Sequence, residues 1–178
     1  MNFQIERVSS ASTPSQQRNP STYHRIVIKA GSTLLTKGES GLDADMIATI
    51  ADQICRLHRN GIEVILVTSG AVAAGRHILG TSQQRKDLPF RQVLAAVGQS
   101  HLMQAYEQLF NQRNLIIAQA LLSRRDFIDR LGYLNIRNTL LGLLENHALP
   151  IVNENDVVAV DELTGDTFGD NDTLSAMV

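Results

Sequence analysis

Ile62-Glu63-Val64-Ile65-Leu66-Val67 runs directly into Thr68-Ser69-Gly70-Ala71-Val72-Ala73-Ala74-Gly75, and this join of a β-branched run to a small polar turn decides the fold. A nearly continuous apolar run bounded by a turn reads as a strand buried on both faces, the kind found in parallel sheets. Working backward, residues 43–59 carry Ile47, Ile50, Ile54 and Leu57 at spacings of three and four, one face of a helix that Asn60-Gly61 would close. Further back, Tyr23-His24-Arg25-Ile26-Val27-Ile28-Lys29 is a second β-branched run, ended by Ala30-Gly31-Ser32. Strand, helix and strand in succession make a βαβ unit, which requires parallel strands and a right-handed crossover.

Working forward, Pro89 suits the opening of a long helix with Val93, Leu94, Val97, Leu102, Leu109 and Phe110 as its apolar positions. A third strand is predicted over 115–122. Ser123 and Asp126 then match a capping box for a short helix near 124–130, a structural role for that aspartate. A helix over 132–146 and a fourth strand over 149–152 lead to Asn153-Glu154-Asn155-Asp156. Extended runs at 157–160 and 163–168 flank Thr164-Gly165-Asp166 and read as a hairpin. The last residues read as the first turns of an apolar helix left without partners. The alternation predicts an α/β, three-layer sandwich with a mainly parallel sheet over 23–178. Residues 1–22 are polar, contain Pro14 and Pro20, and read as a disordered extension.

Composition narrows the function. The 178 residues are 43% apolar, enough for one core, and their formal net charge of -2 gives no basic footprint for nucleic acid or an anionic membrane. No apolar stretch approaches the roughly 20 residues that span a bilayer, and the first residues lack a secretory pattern, which implies the cytoplasm. Cys55 is the single cysteine and reads as an inert packing residue in a reducing compartment. The five histidines, at 24, 58, 77, 101 and 147, form no zinc-binding spacing, so no metal site is predicted from them.

In open α/β sheets ligands bind beyond the carboxyl ends of the strands. Four polar clusters fall there: Lys29-Ala30-Gly31-Ser32, Thr68-Ser69-Gly70, residues 153–156, and Gly169-Asp170-Asn171-Asp172. Lys29 would place a cation beside a small-residue turn whose backbone can approach phosphate, although a strand-end lysine can equally reach solvent. Ser69-Gly70 opens a helix, where an anion is favoured and where serine also serves as a plain N-cap. The Gly70 to Gly75 spacing is not a P-loop, because Arg76-His77 stands where such a loop needs Lys-Ser/Thr. No G-x-G-x-x-G follows a predicted strand. Asn and Asp are common turn formers, yet carboxylates beside amides in two loops also suit a zwitterionic amino acid.

The segments Ile28-Lys29-Ala30-Gly31-Ser32, Val67-Thr68-Ser69-Gly70-Ala71-Val72-Ala73-Ala74-Gly75-Arg76, Ala95-Ala96-Val97-Gly98-Gln99, Val152-Asn153-Glu154-Asn155-Asp156 and Phe168-Gly169-Asp170-Asn171-Asp172 resemble, in that order, those of the glutamate 5-kinases of the amino-acid kinase family. The Asn-Glu-Asn-Asp and Gly-Asp-Asn-Asp motifs are the more specific ones. The resemblance implies transfer of the γ-phosphoryl group of ATP to the side-chain carboxylate of L-glutamate, with Mg2+, as the first step of proline biosynthesis. It implies Lys29 and Asp172 as catalytic, with Lys29 touching the transferred group and Asp172 holding the lysines. By the same resemblance Ser69, Asp156 and Asn171 bind glutamate, supported by Asn153 and Asp170, while Gly31, Ser32 and Gly70 join Lys29 in approaching ATP. Proline as feedback inhibitor and a homo-oligomer in the full-length enzyme are further implications. The family's kinase domain is longer than this chain, which therefore looks like the glutamate-binding portion. Two alternatives stay open: an amino-acid-binding module without kinase activity, and another amino-acid kinase acting on acetylglutamate or aspartate.

Overall fold

The computed structural model describes residues 23–37, 41–80, 87–158 and 171–178. Four strands, β1 (Arg25–Ala30), β2 (Glu63–Thr68), β3 (Ile117–Leu122) and β4 (Leu149–Glu154), form one sheet in the order β1-β2-β4-β3. Every pairing is parallel. The helices are α1 (Ser32–Leu35), α2 (Ala44–Arg59), α3 (Ala71–Leu79), α4 (Leu88–Asn111), α5 (Arg124–Ile128), α6 (Arg130–Glu145) and α7 (Asn171–Met177).

The strand order explains which helices share a face. The connections β1 to β2 and β2 to β3 both run toward the β3 edge, so right-handed crossovers put α2 and α4 on the same side. The return from β3 to β4 runs the other way and puts α6 opposite. Strand alternation matches this split. Val64, Leu66, Leu149 and Ile151 pack with Ile47, Ile54, Leu102 and Phe110 in one core, whereas Ile65, Val67 and Val152 pack with Leu140, Leu144 and Leu174 in the other. Helices on both faces of a parallel sheet make the expected three-layer α/β sandwich.

Local signals operate largely as predicted. Asp43 caps α2 by accepting the Met46 N–H at 3.1 Å, and Asn60 ends it, followed by Gly61 at φ 79°. The Asp126 carboxylate accepts the Ser123 N–H at 2.6 Å and its hydroxyl at 2.8 Å, which confirms a capping role. Cys55 is buried against α2's neighbours, and burial pushes its thiol pKa up, away from the reactive thiolate.

Helix α4 departs from the sequence reading. Val93 is exposed, and the buried row is Leu94, Gly98, Leu102, Tyr106 and Phe110, every fourth residue. The reason is α3, which lies directly against it. A Cβ on Gly75 would stand 1.9 Å from the Leu94 carbonyl oxygen, and one on Gly98 would stand 1.8 Å from that of Ala71. Two glycines thus let the helix backbones touch, and Gly75 serves helix packing.

A second departure concerns the closing helix. Although the sequence suggests a helix without partners, α7 packs on β1, β2 and β4, with Leu174 buried against Val67 and Val152. The predicted hairpin falls mostly on residues 159–170, outside the described residues, and residues 156–158 form a turn instead of a strand. The expected extension over 1–22 also lies outside them.

Candidate functional site: a crevice at the carboxyl edge of the sheet

Strands β2 and β4 are neighbours, but the chain leaves β2 toward α3 and α4 on one face, whereas α7 lies on the other. The starts of α3 and α7 thus flank the carboxyl ends of these strands, the edge at which ligands of open α/β sheets bind. The cleft found there encloses about 490 Å³, counting its open mouth, and is lined by Ser32, Ser69, Gly70, Arg91, Asn153, Asp156 and Asn171 together with the first residues of α3.

Ser69 follows β2, and its position is held from below. The buried Tyr106 hydroxyl and Thr68 Oγ1 share a hydrogen bond of 2.8 Å across the core. Burial raises the Tyr106 pKa to about 12, against the Thr68 hydrogen bond, so the phenol stays neutral. Gly70 then takes φ 101°, a left-handed conformation that L side chains resist, and its carbonyl accepts the Ala74 N–H at 2.9 Å to start α3. Among the described residues no side chain caps this helix. The leading N–H groups of α3 therefore face the cleft as donors at the positive end of the helix dipole.

From the other side, Asn171 opens α7 and donates through Nδ2 to Ser69 Oγ at 2.6 Å, joining residues 102 positions apart in sequence. Nδ2 also lies 3.4 Å from Asn153 Oδ1. Asn171 is only 6% exposed, and its Oδ1 has no hydrogen-bond partner among the described residues. A buried acceptor without a donor costs about 1–3 kcal/mol, so this atom is a strong candidate for contact with a ligand N–H or O–H. Asp156 is half-buried in the same cleft. Burial pushes its carboxyl pKa up, and the nearby positive charge of Arg91 only partly opposes this.

Lys29 stands beside this group. Its pairing partner in the sheet is Val67, so its side chain rises on the α7 face, where Nζ meets Asp172 Oδ1 at 2.7 Å. Asp172 is largely exposed, so the pair contributes little stability, roughly 0–1 kcal/mol, and acts mainly to orient the ammonium group. Gly31 leaves room for that group: a Cβ there would sit 3.1 Å from Lys29 Nζ.

The structure thus gathers Ser32, Ser69, Gly70, Asn153, Asp156 and Asn171 around one cleft and holds Lys29, Gly31 and Asp172 next to it. Asp170 lies outside the described residues. Sequence reasoning missed Arg91 and gave Gln99 no role. Arg91 follows Pro89-Phe90 at the start of α4, which faces the cleft only because α3 and α4 pack so closely, and no local pattern signals that. Among the described residues no group of three or more His, Cys, Asp or Glu could hold a metal ion. No helix among them is long and apolar enough to cross a membrane.

Comparison with known proteins agrees with the architecture. Residues 24–178 match the family model described as the amino acid kinase family. The chain is 57% identical over 160 residues to a glutamate 5-kinase of Dehalococcoides mccartyi, covering 90% of this chain and 43% of that protein. It is 48% identical over 154 residues to the glutamate 5-kinase of Maridesulfovibrio salexigens, covering 86% and 40%, and 48% identical over 153 residues to that of Haemophilus influenzae, covering 86% and 41%. The chain therefore spans about two fifths of the length of these curated relatives. Since the match takes in every described strand and helix, from β1 through α7, the chain belongs to the amino acid kinase family.

Proposed function

We propose that this chain carries the glutamate-binding portion of a glutamate 5-kinase, an enzyme that makes glutamyl 5-phosphate and ADP from L-glutamate and ATP. The observation that carries the reading is the polarity of the cleft. Asn171 Oδ1 is a buried acceptor without a donor among the described residues, and Asp156 is a half-buried carboxylate, so together they suit an ammonium group. Ser69 already accepts from Asn171, which leaves its hydroxyl proton for a carboxylate oxygen. Arg91 and the open start of α3 add positive potential at the same cleft. A zwitterion with a second carboxylate fits this set of groups.

The attacking oxygen belongs to a carboxylate with a reference pKa of about 4.3, so it is ionised at neutral pH and needs no general base. The barrier lies in bringing two anions together. Lys29, held by Asp172 beside the space left by Gly31, is suited to the transferring phosphoryl group, and Ser32 and Gly70 border the same approach. Magnesium bound to the nucleotide phosphates would neutralise part of their charge. Asn153 supports the pocket from β4. Action in the first step of proline biosynthesis, inhibition by proline, a cytoplasmic location and a homo-oligomeric full-length enzyme belong to the same proposal. Titration calorimetry with L-glutamate, and separately with ATP and magnesium, tests it. Saturable glutamate binding that Asp156→Ala abolishes supports the reading, and glutamate no better bound than aspartate or acetylglutamate contradicts it.

A further inference from the structure

We propose that Gln99 is a positioning residue whose side-chain carbonyl completes an amide relay, Gln99–Asn153–Asn171–Ser69, and so holds in place the acceptor and the donor that the relay presents to the cleft. The inference rests on reading the cleft as an amino-acid site.

An amide side chain is nearly symmetric in shape but not in polarity, so a neighbour of fixed polarity must orient it. Here that neighbour is the Glu154 backbone N–H, which can only donate and gives its proton to Asn153 Oδ1 at 2.9 Å. Asn153 Nδ2 must then point the other way, where Gln99 Oε1 accepts from it at 2.7 Å. Because Asn153 presents oxygen toward α7, Asn171 must answer with Nδ2, which also reaches Ser69 Oγ. That choice leaves Asn171 Oδ1 as an acceptor without a donor among the described residues and frees the Ser69 hydroxyl proton. A reversed Asn153 would set its Nδ2 against two other donors, Glu154 N–H and Asn171 Nδ2.

Gln99 closes this chain at its far end. It follows Gly98, the point of contact with α3, and reaches across from α4 to the buried end of β4. Its own Nε2 is buried with no partner among the described residues. A glutamine placed only to fill space would be free to turn; this one keeps its carbonyl on Asn153 at the expense of its own amide protons. Without that acceptor, Asn153 Nδ2 becomes a buried donor with no partner, and rotation of Asn153 to relieve it would disturb Asn171 and the ligand acceptor.

The test compares Gln99→Met, which keeps length but removes the acceptor, with Gln99→Glu, which keeps an acceptor oxygen. In the ligand-free chain the side-chain amide NMR signals of Asn153 and Asn171 should both shift in Gln99→Met and return toward wild type in Gln99→Glu. L-glutamate affinity should fall about tenfold in the first, the effect of one unpaired buried donor, and recover in the second. Unchanged Asn171 signals in Gln99→Met, or equal losses of affinity and thermal stability in both variants, would overturn the proposal. Failure of the wild-type chain to bind glutamate would instead sink the functional reading, while the relay would still be judged by its amide signals.

Discussion

Replacing Asp156 by asparagine keeps the shape of the side chain but removes one negative charge from the cleft, and its effects on binding and stability should have opposite signs. A charge-assisted hydrogen bond to a ligand ammonium is worth about 1.5–3 kcal/mol, and each 1.4 kcal/mol is tenfold in affinity, so glutamate binding should weaken by roughly 10- to 150-fold. Stability follows a different logic. Burial raises the Asp156 pKa above its ordinary value of 3.8, with Arg91 opposing in part, so the folded chain binds this proton more tightly than the unfolded chain does. For a carboxyl shifted upward, ionisation costs the folded state; that cost grows as pH rises above 3.8 and is full once pH exceeds the raised pKa of the folded chain. Asp156→Asn removes it, so the thermal midpoint at pH 7 should hold or rise slightly, and the advantage over wild type should vanish on acidification toward pH 3.8. Calorimetric titration with glutamate and thermal melts at both pH values, on one preparation, measure the two effects together. A large fall in midpoint with unchanged affinity would show that Asp156 holds the fold and does not meet the ligand.

Gly98→Ala should cost 1–3 kcal/mol or more in urea unfolding, because its Cβ would lie 1.8 Å from the Ala71 carbonyl oxygen, whereas Gly142→Ala, with nothing within 4 Å, should gain about 0.5–1 kcal/mol. Equal effects of the two would contradict the close α3–α4 contact. Saturating proline should reduce glutamate binding by competition; unchanged titrations would place any inhibitory site outside this cleft. The 178-residue chain alone should show little turnover in a coupled ADP-release assay, since it spans only 43% of its Dehalococcoides relative and the loss of one transition-state contact typically costs about 10²–10³ in rate. A rate near the enzyme median of about 10 s⁻¹ would show that the catalytic set is complete within it.

Hydrophobic periodicity and turn chemistry are local properties of the chain, and they were legible without coordinates. The βαβ unit, the strands after 115 and 149, the capping box at Ser123 and the polar residues at strand ends all follow from neighbours within a few positions. Contacts between distant segments were not legible in the same way. The order β1-β2-β4-β3, which sets β4 beside β2, depends on where β4 inserts and not on the pattern within any strand. The burial of Gly98 and Tyr106 in place of Val93 depends on α3 lying against α4, and the packing of α7 depends on the sheet face it covers. Most of all, a sequence names amides at 99, 153 and 171 but not their directions. Those are set by a backbone N–H at Glu154 that meets Asn153 in the folded chain, because hydrogen-bond polarity is a property of the assembled network and not of any residue within it.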